Sequence, residues 1–141
     1  MDREIKLLGK KGTPELLYKA SRDGHSSEVL WEKCLGQNET ITLVQTDLNS
    51  TIGGYSPDQW EDTTEMKCSS GYDGKDIKSG NLFLFYFLDD QIEIIKHRDD
   101  EIPVIASLKD WLMVFSAGLM INADKNQDSF AFTSNLYFVN P

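Results

Sequence analysis

Asn81 to Leu88 reads NLFLFYFL, seven apolar or aromatic residues in a row within an acidic, largely polar chain. Such a run is stable only out of water. A helix needs roughly ten or more residues and keeps polar positions on one face, whereas Phe83, Phe85 and Phe87 alternate here with Leu82, Leu84, Tyr86 and Leu88 and leave neither side of a pleat wet. The stretch predicts a central strand covered on both faces. Burying each Phe or Leu is worth about 1.5–3 kcal/mol, so the strand offers on the order of 10–20 kcal/mol of gross burial before the entropy of ordering it is counted. Other layers must supply the covers.

Downstream the pattern is that of a meander. Asp89-Asp90 reads as a turn, Gln91 to His97 as a strand carrying Ile92, Ile94 and Ile95, and Arg98 to Glu101 as a charged corner. Ile102 to Leu108 is a further strand, pushed toward a sheet edge by Pro103. Lys109-Asp110 turns the chain into Trp111 to Phe115 and Leu119 to Ile121, short strands broken at Ser116-Ala117-Gly118. Asn122 to Ser129 is a polar loop, and Asn135 to Val139 closes the chain as a last strand.

Upstream, residues 1–12 form a lead-in with Ile5, Leu7 and Leu8 as docking residues. Thr13-Pro14-Glu15 has the order of an N-cap, a first-turn proline and a first-turn acid. It predicts a short helix with Leu16, Leu17 and Ala20 on one side, ending at Asp23-Gly24. Ser26 or Ser27 then caps a second helix bearing Val29, Leu30, Trp31 and Cys34, with His25 placed against Leu30. From Thr40 to Thr46 the period switches to alternation, Ile41 and Leu43 with Gln45 on one side and the threonines with Val44 on the other. Asn49 and Ser50 turn it back. Gly53-Gly54 between Ile52 and Tyr55 marks a bulge or a close backbone approach, and residues 56–80 read as a long irregular loop anchored by Trp60 and Met66. About seven strands thus follow two helices, which argues an α+β, mainly β protein: an antiparallel two-sheet β-sandwich with two short N-terminal helices packed on it.

At 141 residues the chain suits one domain, 1–141, with one core and no need of disulfide or metal staples. Its net charge of −9 is uneven: residues 1–34 hold seven Lys/Arg against six Asp/Glu, and residues 35–141 seven against seventeen, giving +1 and −10. That body repels phosphates. Nucleic acid and anionic membrane surfaces are therefore poor partners, and a basic protein surface is a better one. The N-terminus has no apolar signal core and no run is long enough to span a membrane, so a cytoplasmic, monomeric protein is expected.

Several constellations resemble chemistry. Asp23, His25 and Cys34 have the residue types of a thiol nucleophile, base and orienter. A helix starting just after His25 carries Cys34 roughly 12 Å away, to a C-terminus where the dipole raises a thiol's pKa. Packed, free thiols at Cys34 and Cys68 fit better. Asp124, Asn126 and Asp128 have the spacing of the start of a calcium loop, but Ser129 and Asn135 stand where glycine and a bidentate glutamate are needed. His97 reads as a surface residue, and Asp58, Glu61, Asp62 and Glu65 as a solvated acidic loop or an interaction patch. No glycine pattern makes a nucleotide cradle, and no catalytic, cofactor-binding or metal-ligating residue is assigned.

Leu16-Leu-Tyr-Lys-Ala-Ser-Arg-Asp-Gly-His-Ser26, Lys33-Cys34, the Thr40 to Thr46 strand, Ile52-Gly-Gly-Tyr-Ser56 and Trp60 follow one another in an order that resembles the TLDc domain. The first run is similar to the LLY-x-[AS]-S-x-D-G-[aromatic]-S motif of that family, and Phe83-Leu84-Phe85 and Phe115-Ser-Ala-Gly118 resemble its strands, over roughly residues 16–130. His25 departs from the usual aromatic, Ser116-Ala117 from the usual glycines, and the ends look abbreviated. The resemblance implies a β-sandwich with a few helices and no established catalytic residues. It also implies a part in oxidative-stress resistance and binding to the cytosolic part of the vacuolar proton-pumping ATPase, the V-ATPase. Two alternatives come from other classes: a peroxide-handling thiol protein using Cys34 or Cys68, and a carbohydrate-binding sandwich using Trp60, Tyr55 or Trp111.

Overall fold

The computed structural model describes residues 9, 13–24, 27–45, 50–69, 71, 74–77, 81–88, 90–97, 104–108, 111–115, 119–122, 130–131 and 138–139. Among the described residues two short helices, α1 (Ala20–Asp23) and α2 (Ser27–Cys34), precede ten strands: β1 (Thr40–Gln45), β2 (Thr51–Ser56), β3 (Lys75–Asp76), β4 (Phe83–Leu88), β5 (Gln91–His97), β6 (Val104–Leu108), β7 (Trp111–Phe115), β8 (Leu119–Asn122), β9 (Phe130–Ala131) and β10 (Phe138–Val139). They form two antiparallel sheets, ordered β1-β2-β4-β5-β10 and β3-β6-β7-β8-β9. The chain alternates between them. The mainly β architecture with two short helices is thus the expected one, with the two-residue strands β3 and β9 added and β10 falling within the expected last strand.

β4 is the middle strand of the first sheet, and its register assigns the two faces. Gly54, Leu84 and Ile95 share one row, and Ile52, Tyr86 and Glu93 the next. On this inner face Leu84 and Ile95 join Leu82, Ile105 of β6, Leu30 and Cys34 of α2, Trp60 and Ile77 in one buried cluster, with Leu17, Tyr18, Trp31 and Leu35 packed against it. Both sheets and α2 therefore share a core. The outer face carries Ile41, Tyr55 and Phe83 in one row and Leu43, Gly53, Phe85 and Ile94 in another. Here Tyr55, Phe83, Phe85 and Phe87 form a ladder with successive ring centroids 5.1, 6.3 and 6.0 Å apart. Leu82 and Leu84 are buried and Tyr86 half-buried on the inner face, and Phe85 is buried with Phe83 and Phe87 half-buried on the outer one, so both faces of the central strand are largely covered.

The first helix is shorter than its sequence suggests. Thr13 to Lys19 lie outside it, and Lys19 is extended at φ −142°, ψ 115°. Leu17 and Tyr18 are consecutive residues that both reach the core, which overrides the local helix signal. α2 matches its expected span, while His25 and Ser26 lie outside the described residues. β1 alternates as its sequence requires. Gly53-Gly54 makes no bulge, since β1–β2 and β2–β4 keep unbroken register, and it is the close backbone approach that holds. The 56–80 stretch buries Trp60, Thr63, Cys68 and Ile77 and contributes β3, whereas Met66 is only half-buried. β6 is an interior strand between β3 and β7 rather than an edge, because it starts at Val104, after Pro103.

Candidate functional site

The motif run, described from Leu16 to Gly24, builds a corner ahead of α2. Gly24 ends α1 at φ 93°, ψ 158°, with its N–H donating to the Ala20 carbonyl, a backbone state essentially reserved for glycine. The Asp23 carboxylate gathers the surrounding donors. It accepts from the Lys19 N–H at 2.8 Å and from Arg22 Nε and Nη2 at 2.8 Å each, and Lys33 Nζ of α2 stands 3.9 Å away. These bonds turn the carboxylate back onto α1 and its N-cap residue. The Arg22 guanidinium and the Lys19 N–H together hold the carboxyl well below the usual range. The Tyr18 hydroxyl donates to the Gly24 carbonyl, completing the corner.

α2 and the 56–80 stretch are tied just beyond this corner. The Gly36 N–H donates to the Trp60 carbonyl at 2.8 Å and the Trp60 N–H to the Gln37 carbonyl at 3.0 Å. The Trp60 indole N–H donates to Thr40 Oγ1 at 2.7 Å. Nothing in the local sequence announces that bond, although a lone tryptophan in a polar loop signals an anchor.

Among the thiols, Cys34 lies in the core cluster, and burial pushes its pKa up against a smaller opposing effect of Lys33. Cys34 and Cys68 are both buried and free. For the aromatics, Trp60 faces the inner cluster while Tyr55 stands on the outer ladder, so the sheet lies between them. The side chain of Trp111 lies outside the described residues, as do those of His97, Asp124, Asn126 and Asp128. In the acidic loop Glu61 pairs with Lys75 at 2.9 Å, and Asp62 accepts the Thr64 hydroxyl and N–H, which hold its carboxyl below the ordinary range. That stretch is a folded turn. Asp58 is half-buried and Glu65 exposed. Among the described residues no three His, Cys, Asp or Glu side chains converge as metal ligands, and no helix is long and apolar enough to cross a membrane.

The corner, the Trp60 tie and the central strand are the segments whose sequence motifs stood out, and a family model for the TLDc domain matches residues 6–136. The chain belongs to the TLDc domain family. The match extends beyond the motif-bearing residues at both ends and makes this an oxidation-resistance-type domain. No curated protein and no solved structure matches the chain significantly. In this TLDc domain the LLY-x-[AS]-S-x-D-G residues serve the corner itself: Leu17 and Tyr18 reach the core, Asp23 binds the turn, and Gly24 supplies its φ.

Proposed function

We propose that the protein is a non-catalytic interaction module of the cytoplasm that binds the cytosolic part of a proton-pumping ATPase and so alters pump assembly or tolerance of oxidants. Membership of the TLDc family carries the reading. The −10 charge of residues 35–141 supports it, because an acidic body steers toward and complements a basic protein patch. The buried, raised thiol of Cys34 supports it against a peroxide-handling enzyme, which needs an accessible thiolate. The placement of Trp60 and Tyr55 on opposite faces speaks against a carbohydrate platform that uses those two together.

Affinity capture from the source cytosol with identification by mass spectrometry tests the reading. Peripheral pump subunits are expected, with binding that weakens as salt screens charges beyond about 8–10 Å. Capture without pump subunits overturns it, and so does peroxide turnover abolished by Cys34→Ser or Cys68→Ser.

A further inference from the structure

We infer that β1, the first strand of the β1-β2-β4-β5-β10 sheet, docks an extended basic segment of a protein partner by strand addition. The inference deepens the pump-binding reading, on which it rests for the partner's identity. Two observations carry it.

The first is the contrast between the sheet edges. Among the described residues the end strands of the two sheets are β1, β10, β3 and β9, and three of these have two residues, too few to template a partner. β1 has six. Proteins guard long edges with charged residues, prolines or bulges, but Thr40–Gln45 reads TITLVQ, uncharged, without proline, and in unbroken register with β2. Four of its six residues are β-branched, which favours an extended backbone. Among the described residues no strand lies on its far side.

The second is an apolar surface beside that edge. Leu43 is 36% exposed, one of two large hydrophobic residues so placed among the described residues. With Ile41 it extends the rows of Tyr55–Phe83 and Gly53–Phe85 to the rim of the sheet. A strand laid along β1 sets every second side chain beside Ile41 and Leu43, so backbone pairing supplies affinity and apolar alternation supplies register. Charge selects the occupant. Two copies of a −9 chain repel each other, whereas a segment carrying Lys or Arg between its apolar residues is attracted, with exposed Glu39 at the strand's start as a local partner.

Hydrogen exchange on the full chain tests this with a decapeptide alternating valine and lysine, against a control of equal charge interrupted by prolines. The first peptide should slow exchange at Thr40–Gln45 by roughly tenfold and the control should not. Leu43→Lys, which places a cation at an exposed position of the strand, should weaken the peptide by roughly tenfold while leaving the melting temperature near wild type. Equal protection by both peptides, protection elsewhere only, or a β1 already slow at every amide in the free protein overturns the inference. Pump capture separates it from the broader reading. Capture by wild type and loss in Leu43→Lys is expected; equal capture by both removes the edge and leaves the pump reading standing. Capture by neither removes the pump reading, and the peptide result then decides the edge alone.

Discussion

The ring of Phe85 lies against the backbone of Gly53 on the neighbouring strand, so that a β-carbon at position 53 would stand 2.6 Å from Phe85 Cζ and press on the Thr42 carbonyl oxygen. Gly53→Ala should therefore destabilise the domain by about 1–3 kcal/mol through overpacking. Phe85→Ala should cost about 3–5 kcal/mol by leaving a cavity. Because the two sites share one volume, Phe85→Leu should recover part of the Gly53→Ala loss, with a coupling of about 0.5–3 kcal/mol in a urea-denaturation cycle. Strict additivity would refute the contact.

Thr40 and Trp60 make a second test. The indole N–H is buried and donates to Thr40 Oγ1 at 2.7 Å. Thr40→Val keeps the shape and removes the acceptor, which should cost about 1–3 kcal/mol for a donor left unsatisfied. Trp60→Phe in the same background removes the donor too, so Thr40→Val should then cost much less, again read by denaturant melts.

Gly24 should resist substitution for backbone reasons alone. Beyond its chain neighbours, no atom of the described residues lies within 4 Å of where its β-carbon would sit, yet φ is 93°. Gly24→Ala and Gly24→Val should both destabilise by about 1–3 kcal/mol, with little dependence on side-chain volume. A neutral Gly24→Ala, measured by thermal unfolding, would show that the corner relaxes out of this conformation.

Asp23 sets a pH dependence. Its carboxyl is held low in the folded state, chiefly by Arg22 and next by the Lys19 N–H. A depressed pKa contributes stability that is present above the unfolded value of about 3.9 and is lost as pH falls through the folded value. Asp23→Asn should therefore be less stable than wild type at pH 7, and the two should converge in acid below about pH 4. Parallel stability curves down to that range would remove the linkage.

Cys34 should react slowly. Burial in the core raises its pKa, and the thiolate is the reactive form. In native protein at neutral pH, iodoacetamide should label it far more slowly than in denatured protein, read by peptide mass spectrometry. Fast native labelling would reopen the peroxide-handling alternative.

Local patterning was enough to find the elements with strong periodicity. The apolar run at Leu82 to Leu88 is too short for a buried helix, the isoleucines of Gln91 to His97 and the Thr/Ile alternation from Thr40 follow strand spacing, and all three are strands. The Asp23-Gly24 stop was legible for the same kind of reason, since a positive φ selects glycine. β3 was not legible, because a two-residue strand has no period. Ile77, the sole aliphatic residue between Lys67 and Gly80, was its one available signal, and it is buried.

Composition and spacing, which act over a few neighbouring residues, were enough for a mainly β domain with an acidic body, a glycine corner and a central apolar strand. Packing between distant segments drew Thr13 to Lys19 out of the helix their N-cap pattern predicts, since Leu17 and Tyr18 gain more from reaching the core side by side than from local helical bonds. It decided the partition of strands between sheets, and with it that Trp60 and Tyr55 stand on opposite faces. It also made β1 an edge and β6 an interior strand, because neighbours in a sheet are chosen by contacts between distant segments that no local window contains.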